Sequence, residues 1–217
     1  MSPTVAPASV VPLPSPSGWA GAVLIPVKAF GQAKGRLRDA LGERERAALA
    51  RKMAGHVVRV QRKVVVAVCC DDAEVADWAA SVGAHTIWCP GTGLNGAVQR
   101  GVEELRQAGY RDVAVAHSDL PLAASLDPLL GWPGVTLVPD RHRSGSNVIS
   151  FPTSIDFTFS YGESSLRRHI AEAARHGRGL RIVHDRRLGW DVDDPADLEL
   201  PDDVDLLAGV RTDQGDP

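Results

Sequence analysis

The chain has 217 residues, 24 Lys and Arg against 27 Asp and Glu, and a net charge near −3. That is length enough for a substantial core, and no apolar run approaches the roughly 20 residues a membrane span needs. A slightly acidic chain without a basic stripe excludes a general nucleic-acid binder, and three cysteines, Cys69, Cys70 and Cys89, form neither a disulfide framework nor a CxxC metal site.

Residues 1–17 carry Pro3, Pro7, Pro12, Pro14 and Pro16 among Ser, Ala and Val. Proline removes backbone donors and blocks helix, so residues 1–18 read as a disordered extension outside the fold. The stretch has no basic start and no continuous apolar core, so it does not read as a secretory signal.

Next comes AGAVLIPV, residues 20–27, a first buried strand. Residues 43–60 have helical spacing, with Leu49, Met53 and Val57 on one face. Residues 63–70, KVVVAVCC, are β-branched and continuous, as in a strand covered on both faces. A helix follows over 72–82, a strand over 84–88 and a helix over 95–108. Strands are predicted at 112–117 and 135–138. Beyond Ser144 the strands shorten, a helix spans 164–176, and a last helix begins near Pro195. This alternation predicts one three-layer α/β domain over 19–210 with a mostly parallel sheet, and a flexible tail over 211–217. Cys69 and Cys70 lie in an apolar run and read as buried, inert thiols, which suits a reducing cytoplasm.

In such sheets ligands bind beyond the C-terminal ends of the strands. The loop after the first strand gathers Lys28, Lys34, Arg36 and Arg38 beside glycines. Clustered cations favour a polyphosphate, although a solvated basic loop has the same composition. It matches neither GxxxxGK[ST] nor GxGxxG. Asp119 closes the central strand, and Asp191 and Asp193 are two apart, so they share a side of an extended segment. Three converging carboxylates repel unless a cation intervenes, and Mg²⁺ is the natural hard cation for oxygen ligands. The competing role for Asp119 is a turn or cap before Pro121, and for Asp191 and Asp193 capping of the next helix. Ser144, Ser146, Ser164 and Ser165 supply hydroxyls, the last pair at a helix N-terminus suited to anions or to simple capping. His169, one turn on, reads as a surface or core histidine. No GxSxG nucleophile elbow is present.

Taken in order, PVK and AKGRL within 26–37, GLNGA at 93–97, SDLP at 118–121, SGSN at 144–147, YGESS at 161–165 with His169, and DVDDPADL at 191–198 carry a resemblance. The chain resembles the guanylyltransferases of coenzyme F420 biosynthesis, called CofC in archaea and FbiD in actinobacteria, over about residues 21–200. The resemblance implies a Rossmann-like, GT-A-like nucleotidyltransferase fold. It implies GMP transfer from GTP to a small phosphorylated three-carbon acid, with pyrophosphate released. That acid is typically phosphoenolpyruvate in bacterial relatives and 2-phospho-L-lactate in archaeal ones.

Residue by residue, the resemblance implies metal binding by Asp119, Asp191 and Asp193. It implies acceptor binding by Ser146, Gly162 and Ser165. The departures are RSGS for the usual GTGT and Tyr161 for the usual Phe. Ser146 keeps the hydroxyl but lacks the methyl, which leaves acceptor preference open. Arg141, His142 and Arg143 make the preceding loop cationic, which suits an anionic acceptor. Electrostatics assigns Lys28 and Lys34 to the departing pyrophosphate, alongside Asp119 as the catalytic set. Lys28, Lys34, Arg36, Gly93 and Asn95 form the nucleotide-binding set, with Asn95 expected at the base or ribose. No nucleic acid or membrane partner is expected. A homodimer stays open, and a downstream transferase of the F420 pathway is expected to receive the product. Two other classes stay open: a molybdenum-cofactor guanylyltransferase, whose GGxSxRMGxxK loop is not matched, and a nucleotide-binding module without chemistry.

Overall fold

Apolar runs rich in Val, Ala and Ile pair along their backbones and leave side chains alternating to opposite faces. In the computed structural model, which describes residues 5–8, 10–201 and 204–210, these runs form β1 (Gly21–Pro26), β2 (Val65–Cys70), β3 (His85–Trp88), β4 (Asp112–Ala116) and β5 (Val135–Pro139). β6 (Ser146–Pro152) and β7 (Leu180–Ile182) complete a seven-stranded sheet of order β3-β2-β1-β4-β6-β5-β7. β6 runs antiparallel to both β4 and β5, and the other pairings are parallel. The sheet is therefore mostly parallel. β1 has β2 on one side and β4 on the other, and the chain order reverses there, which is where such sheets open a ligand crevice.

Four helices cover the sheet: α1 (Glu43–Arg59), α2 (Ala73–Ser81), α3 (Gly93–Gln107) and α4 (Ser165–Arg175). In β1, Val23 and Ile25 face a core shared with Ala54, Val57, Val75 and Ala79 of α1 and α2. Ala22 and Leu24 face the opposite core, with Val98, Val102 and Leu105 of α3 and Leu166 of α4. This is the three-layer arrangement. A smaller cluster joins Leu37 and Leu41 after β1 to Leu49 and Met53 of α1 and to Val192 near the C-terminus. It draws the cationic loop and the late aspartates together. The element expected at Pro195 is a short 3-10 turn, Pro195–Leu198. No helix among the described residues is long and apolar enough to cross a membrane.

The reading of residues 1–18 as standing off the fold is corrected at 11–14. The Thr86 N–H donates to the Val11 carbonyl at 2.9 Å. His85 Nδ1 lies 2.7 Å from the Pro12 carbonyl, and the Tyr110 hydroxyl donates to the Pro14 carbonyl at 2.8 Å. Leu13 packs on the core beneath. Proline loses its N–H but keeps its carbonyl, so a proline-rich segment can serve donors on the edge strand β3. The tail expected over 211–217 lies outside the described residues.

Candidate active site

The ends of β1 to β4 open into a cleft of about 730 Å³. Lys28 and Lys34 enter from the loop after β1, Asp71 from the end of β2, Gly93 from the start of α3, and His117 and Asp119 from the end of β4. Lys28 is exposed there. Cys69, Cys70 and Cys89 form part of the wall. Burial pushes the Cys70 thiol up to about 11 and the Cys89 thiol up to about 12. These thiols are protonated and unreactive near neutrality, as the sequence predicts.

Lys34, expected at the departing pyrophosphate, lines the cleft and is bonded inward. Its Nζ donates to Asp119 Oδ2 at 2.5 Å, to the Val192 carbonyl at 2.5 Å and to Asp193 Oδ1 at 3.3 Å. Its side chain is only 9% exposed. Burial alone would lower the ammonium's pKa, but the charges of Asp119 and Asp193 outweigh burial and hold it above its ordinary value. Burial would likewise raise Asp119, yet Lys34 and His117 bring its carboxyl below the ordinary value. Arg36 stays largely in solvent, 3.9 Å from Asp193.

Asp119, Asp191 and Asp193, expected as one metal-ligand set, are not gathered as a set of three in this arrangement. Among the described residues no group of three or more His, Cys, Asp or Glu is arranged to hold a metal ion. The Lys34 ammonium takes up one oxygen of Asp119 and one of Asp193. Two acidic groups remain incompletely satisfied. Asp119 Oδ1 is buried without a hydrogen-bond partner. Burial, then the Asp119 charge, raise Asp191 above the ordinary carboxylate range, although Asn147 Nδ2 donates to it at 3.3 Å.

Beside this cleft the structure brings Ser146, Gly162 and Ser165 together. Ser146 opens β6 and Ser165 opens α4. The Leu166 N–H donates to the Ser144 carbonyl at 3.0 Å, which seats the 140–146 loop on the start of α4. Asp140 folds that loop by accepting the N–H groups of Ser144 and Gly145 at 2.9 and 2.5 Å. Gly162 has φ +119°, a conformation that side-chain-bearing residues rarely adopt.

Asn95, expected at the base or ribose, turns instead to the backbone of Tyr161. Its Oδ1 accepts the Tyr161 N–H at 2.7 Å, and its Nδ2 lies 3.5 Å from the Tyr161 carbonyl. The GLN motif thus holds the turn that carries Gly162. Arg141 is also not an acceptor-facing cation. It stacks over the Trp190 ring at 4.4 Å and pairs with Asp197.

Sequence reasoning gave no role to Asp197, His117 or Tyr161. Asp197 accepts the N–H groups of Asp193 and Asp194, each at 2.7 Å, and so fixes the loop carrying the late aspartates. Its signal was its place in DVDDPADL. His117 Nε2 and the Tyr161 hydroxyl are both buried without partners, and their rings lie 5.1 Å apart. The position of His117 directly before SDLP was the available signal for it.

The family model described as "Guanylyl transferase CofC like" matches residues 21–200. The chain belongs to this family. Its members transfer guanylyl groups, so the chain is a nucleotidyltransferase. It is 34% identical over 185 residues to a protein of Sphaerobacter thermophilus named phosphoenolpyruvate guanylyltransferase, covering 81% of this chain and 89% of that one. A protein of the same name from Conexibacter woesei is 35% identical over 188 residues, covering 81% and 84%. Among solved structures, a proposed nucleotide-diphospho-sugar transferase from Desulfovibrio desulfuricans superposes with a TM-score of 0.68 at 19% identity, over 81% of this chain and 83% of that one. The CMP:2-keto-3-deoxy-manno-octonic acid synthetase superposes with a TM-score of 0.55 at 14% identity, over 82% and 95%. These two likenesses speak for the nucleotidyltransferase fold.

Proposed function

We propose that the chain transfers GMP from GTP to phosphoenolpyruvate, giving enolpyruvoyl-2-diphospho-5'-guanosine and pyrophosphate, as a step of coenzyme F420 biosynthesis. One observation carries the reading. The His117 N–H donates to the Asn147 carbonyl at 3.0 Å, so the strand that Ser146 opens starts beside the strand end that carries Asp119. The cleft bearing lysines and the buried serines that open β6 and α4 therefore adjoin near one carboxylate. The names of the relatives support phosphoenolpyruvate as the acceptor.

The chemistry follows from charge. An oxygen of the acceptor's phosphate attacks the α-phosphorus of GTP. That P–O bond forms while the bond from the α-phosphorus to the bridging oxygen breaks, and its electron pair leaves with pyrophosphate. The attacking oxygen is already ionised, so no strong base is needed. The obstacle is an anion approaching an anion, and positioning and charge compensation supply the rate. Lys28, exposed in the cleft, meets the phosphates of GTP, and the Gly93 end of α3 lines the same cleft, with Arg36 beside Asp193 at its edge. Lys34 holds Asp119 and Asp193 in place. Ser146, Gly162 and Ser165 bind the acceptor.

The unpartnered Asp119 Oδ1 and the raised Asp191 carboxyl are what a hard divalent cation would relieve. Asp119 and Asp191 would hold Mg²⁺, which when bound supplies charge neutralisation at phosphate oxygens. The buried free thiols suit a reducing compartment such as the cytoplasm.

The test is pyrophosphate release from GTP with phosphoenolpyruvate, 2-phospho-L-lactate or 3-phosphoglycerate offered separately. Release that depends on phosphoenolpyruvate is expected. Release with another acceptor alone reassigns the substrate, and no release with any of them overturns the reading.

A further inference from the structure

His169 lies on α4 with no exposed surface, and both of its ring nitrogens are engaged. The Ser160 backbone N–H donates to Nε2 at 3.0 Å. Nδ1 lies 3.1 Å from Ser146 Oγ. A backbone amide can only donate, so Nε2 is the accepting nitrogen and carries no proton. A neutral ring then carries its proton on Nδ1, and that N–H donates to Ser146 Oγ. Burial, then the charges of Arg168 on α4 and His117 at the end of β4, lower the ring to about 4 against the opposing charge of Glu172. The ring is therefore neutral at pH 7. The Tyr161 ring, 5.0 Å away, closes one side.

Ser146 receives this bond and makes no other side-chain bond among the described residues. Its oxygen already accepts, so its own proton is the part left to offer. A hydroxyl that accepts one hydrogen bond also donates a stronger one.

We infer that His169 is a positioning residue that fixes Ser146 as a hydrogen-bond donor toward an anionic oxygen of the acceptor. The inference rests on the acceptor pocket proposed above and adds the direction of the bond. It makes the Ser160–His169–Ser146 chain a specificity device. The pocket accepts a carboxylate or phosphate oxygen at this point and disfavours a group that must itself donate.

Two variants of the full chain separate the nitrogens. His169→Asn keeps an amide N–H near the Nδ1 position, whereas His169→Gln moves the amide toward Nε2 and leaves no donor opposite Ser146. With pyrophosphate release as readout, His169→Gln should raise the KM for phosphoenolpyruvate about tenfold, the loss expected of one hydrogen bond to a charged group. The KM for GTP should hold within about twofold, and His169→Asn should recover most of the loss. Ser146→Ala with His169→Gln should be no worse than Ser146→Ala alone, because the ring acts through the serine. Nitrogen NMR of the wild-type ring gives a readout that does not use activity, with a protonated Nδ1 and a bare Nε2 expected at pH 7.

An unchanged phosphoenolpyruvate KM in His169→Gln overturns the inference. So does the opposite tautomer, or a parallel rise in both KM values. If Ser146→Ala itself leaves the phosphoenolpyruvate KM unchanged, the acceptor-pocket reading fails. If Ser146→Ala raises it and His169→Gln does not, only the positioning role fails.

Discussion

The Lys34 ammonium meets Asp119 Oδ2 at 2.5 Å across 85 residues of sequence, with side chains only 9% and 18% exposed. Breaking such a pair from one side strands a charge in a poorly solvated place. Lys34→Met should cost about 3 kcal/mol or more, read as a fall in the denaturation midpoint. Lys34→Met combined with Asp119→Asn should recover much of that stability while staying inactive. The pH window follows from both directions. Asp119 is held low, so its contribution is present above the ordinary carboxylate pKa and fades as pH falls through its lowered value. Lys34 is held high, so its contribution is present below the ordinary lysine pKa and fades as pH rises through its raised value. A midpoint unmoved by Lys34→Met would sink this account.

Asp191 should show stability and function in opposition. Burial and Asp119 hold its carboxyl above the ordinary value, so its charged form at pH 7 burdens the fold. Asp191→Asn should raise Tm. Turnover should nevertheless fall about a hundredfold, the size of one strong electrostatic contribution. Calorimetry and pyrophosphate release on the same preparation decide it, and a variant less stable than wild type contradicts the argument.

Tyr161 carries a buried hydroxyl with no partner, and burial pushes its pKa upward. An unpaired buried hydroxyl costs roughly 1–3 kcal/mol. Tyr161→Phe should therefore stabilise the ligand-free protein by about 1 kcal/mol in urea denaturation. Loss of stability would mean that the hydroxyl is bonded in solution.

Removal of residues 1–17 should destabilise the domain. It strips the carbonyls of Val11, Pro12 and Pro14 from Thr86, His85 and Tyr110. At about 1 kcal/mol per hydrogen bond the loss is about 2–3 kcal/mol. An unchanged urea midpoint would show that ordering this segment offsets its bonds.

His169 should impose an acid limit. Its folded pKa of about 4 lies below the ordinary histidine value of 6.5. The unfolded chain takes up the proton first as pH falls, so stability is full above about 6.5 and declines until about 4. The loss is on the order of 3 kcal/mol. His169→Gln should flatten that part of the pH profile, and an unaltered profile would assign the slope to other groups.

Local physics made much of this legible in the residues themselves. Continuous, β-branched apolar runs at 65–70 and 112–116 read as strands covered on both faces, and helical spacing places α1 within a residue of its end. The alternation of these elements dictates a mostly parallel sheet, hence ligands at the strand ends where Lys28, Asp119 and Gly93 stand. What spacing could not encode is which partner each polar group finds. Lys34 among the aspartates, Asn95 on the Tyr161 backbone and His169 under Ser146 join residues 85, 66 and 23 apart in sequence. Each pairing depends on how separate elements dock. The same holds for the proline-rich start, whose composition argues against internal structure but says nothing of the edge strand that takes its carbonyls. Periodicity reports the face a residue turns to. Only packing brings one face against another, and in this protein that packing decides which carboxylates, hydroxyls and ring nitrogens stay free to act.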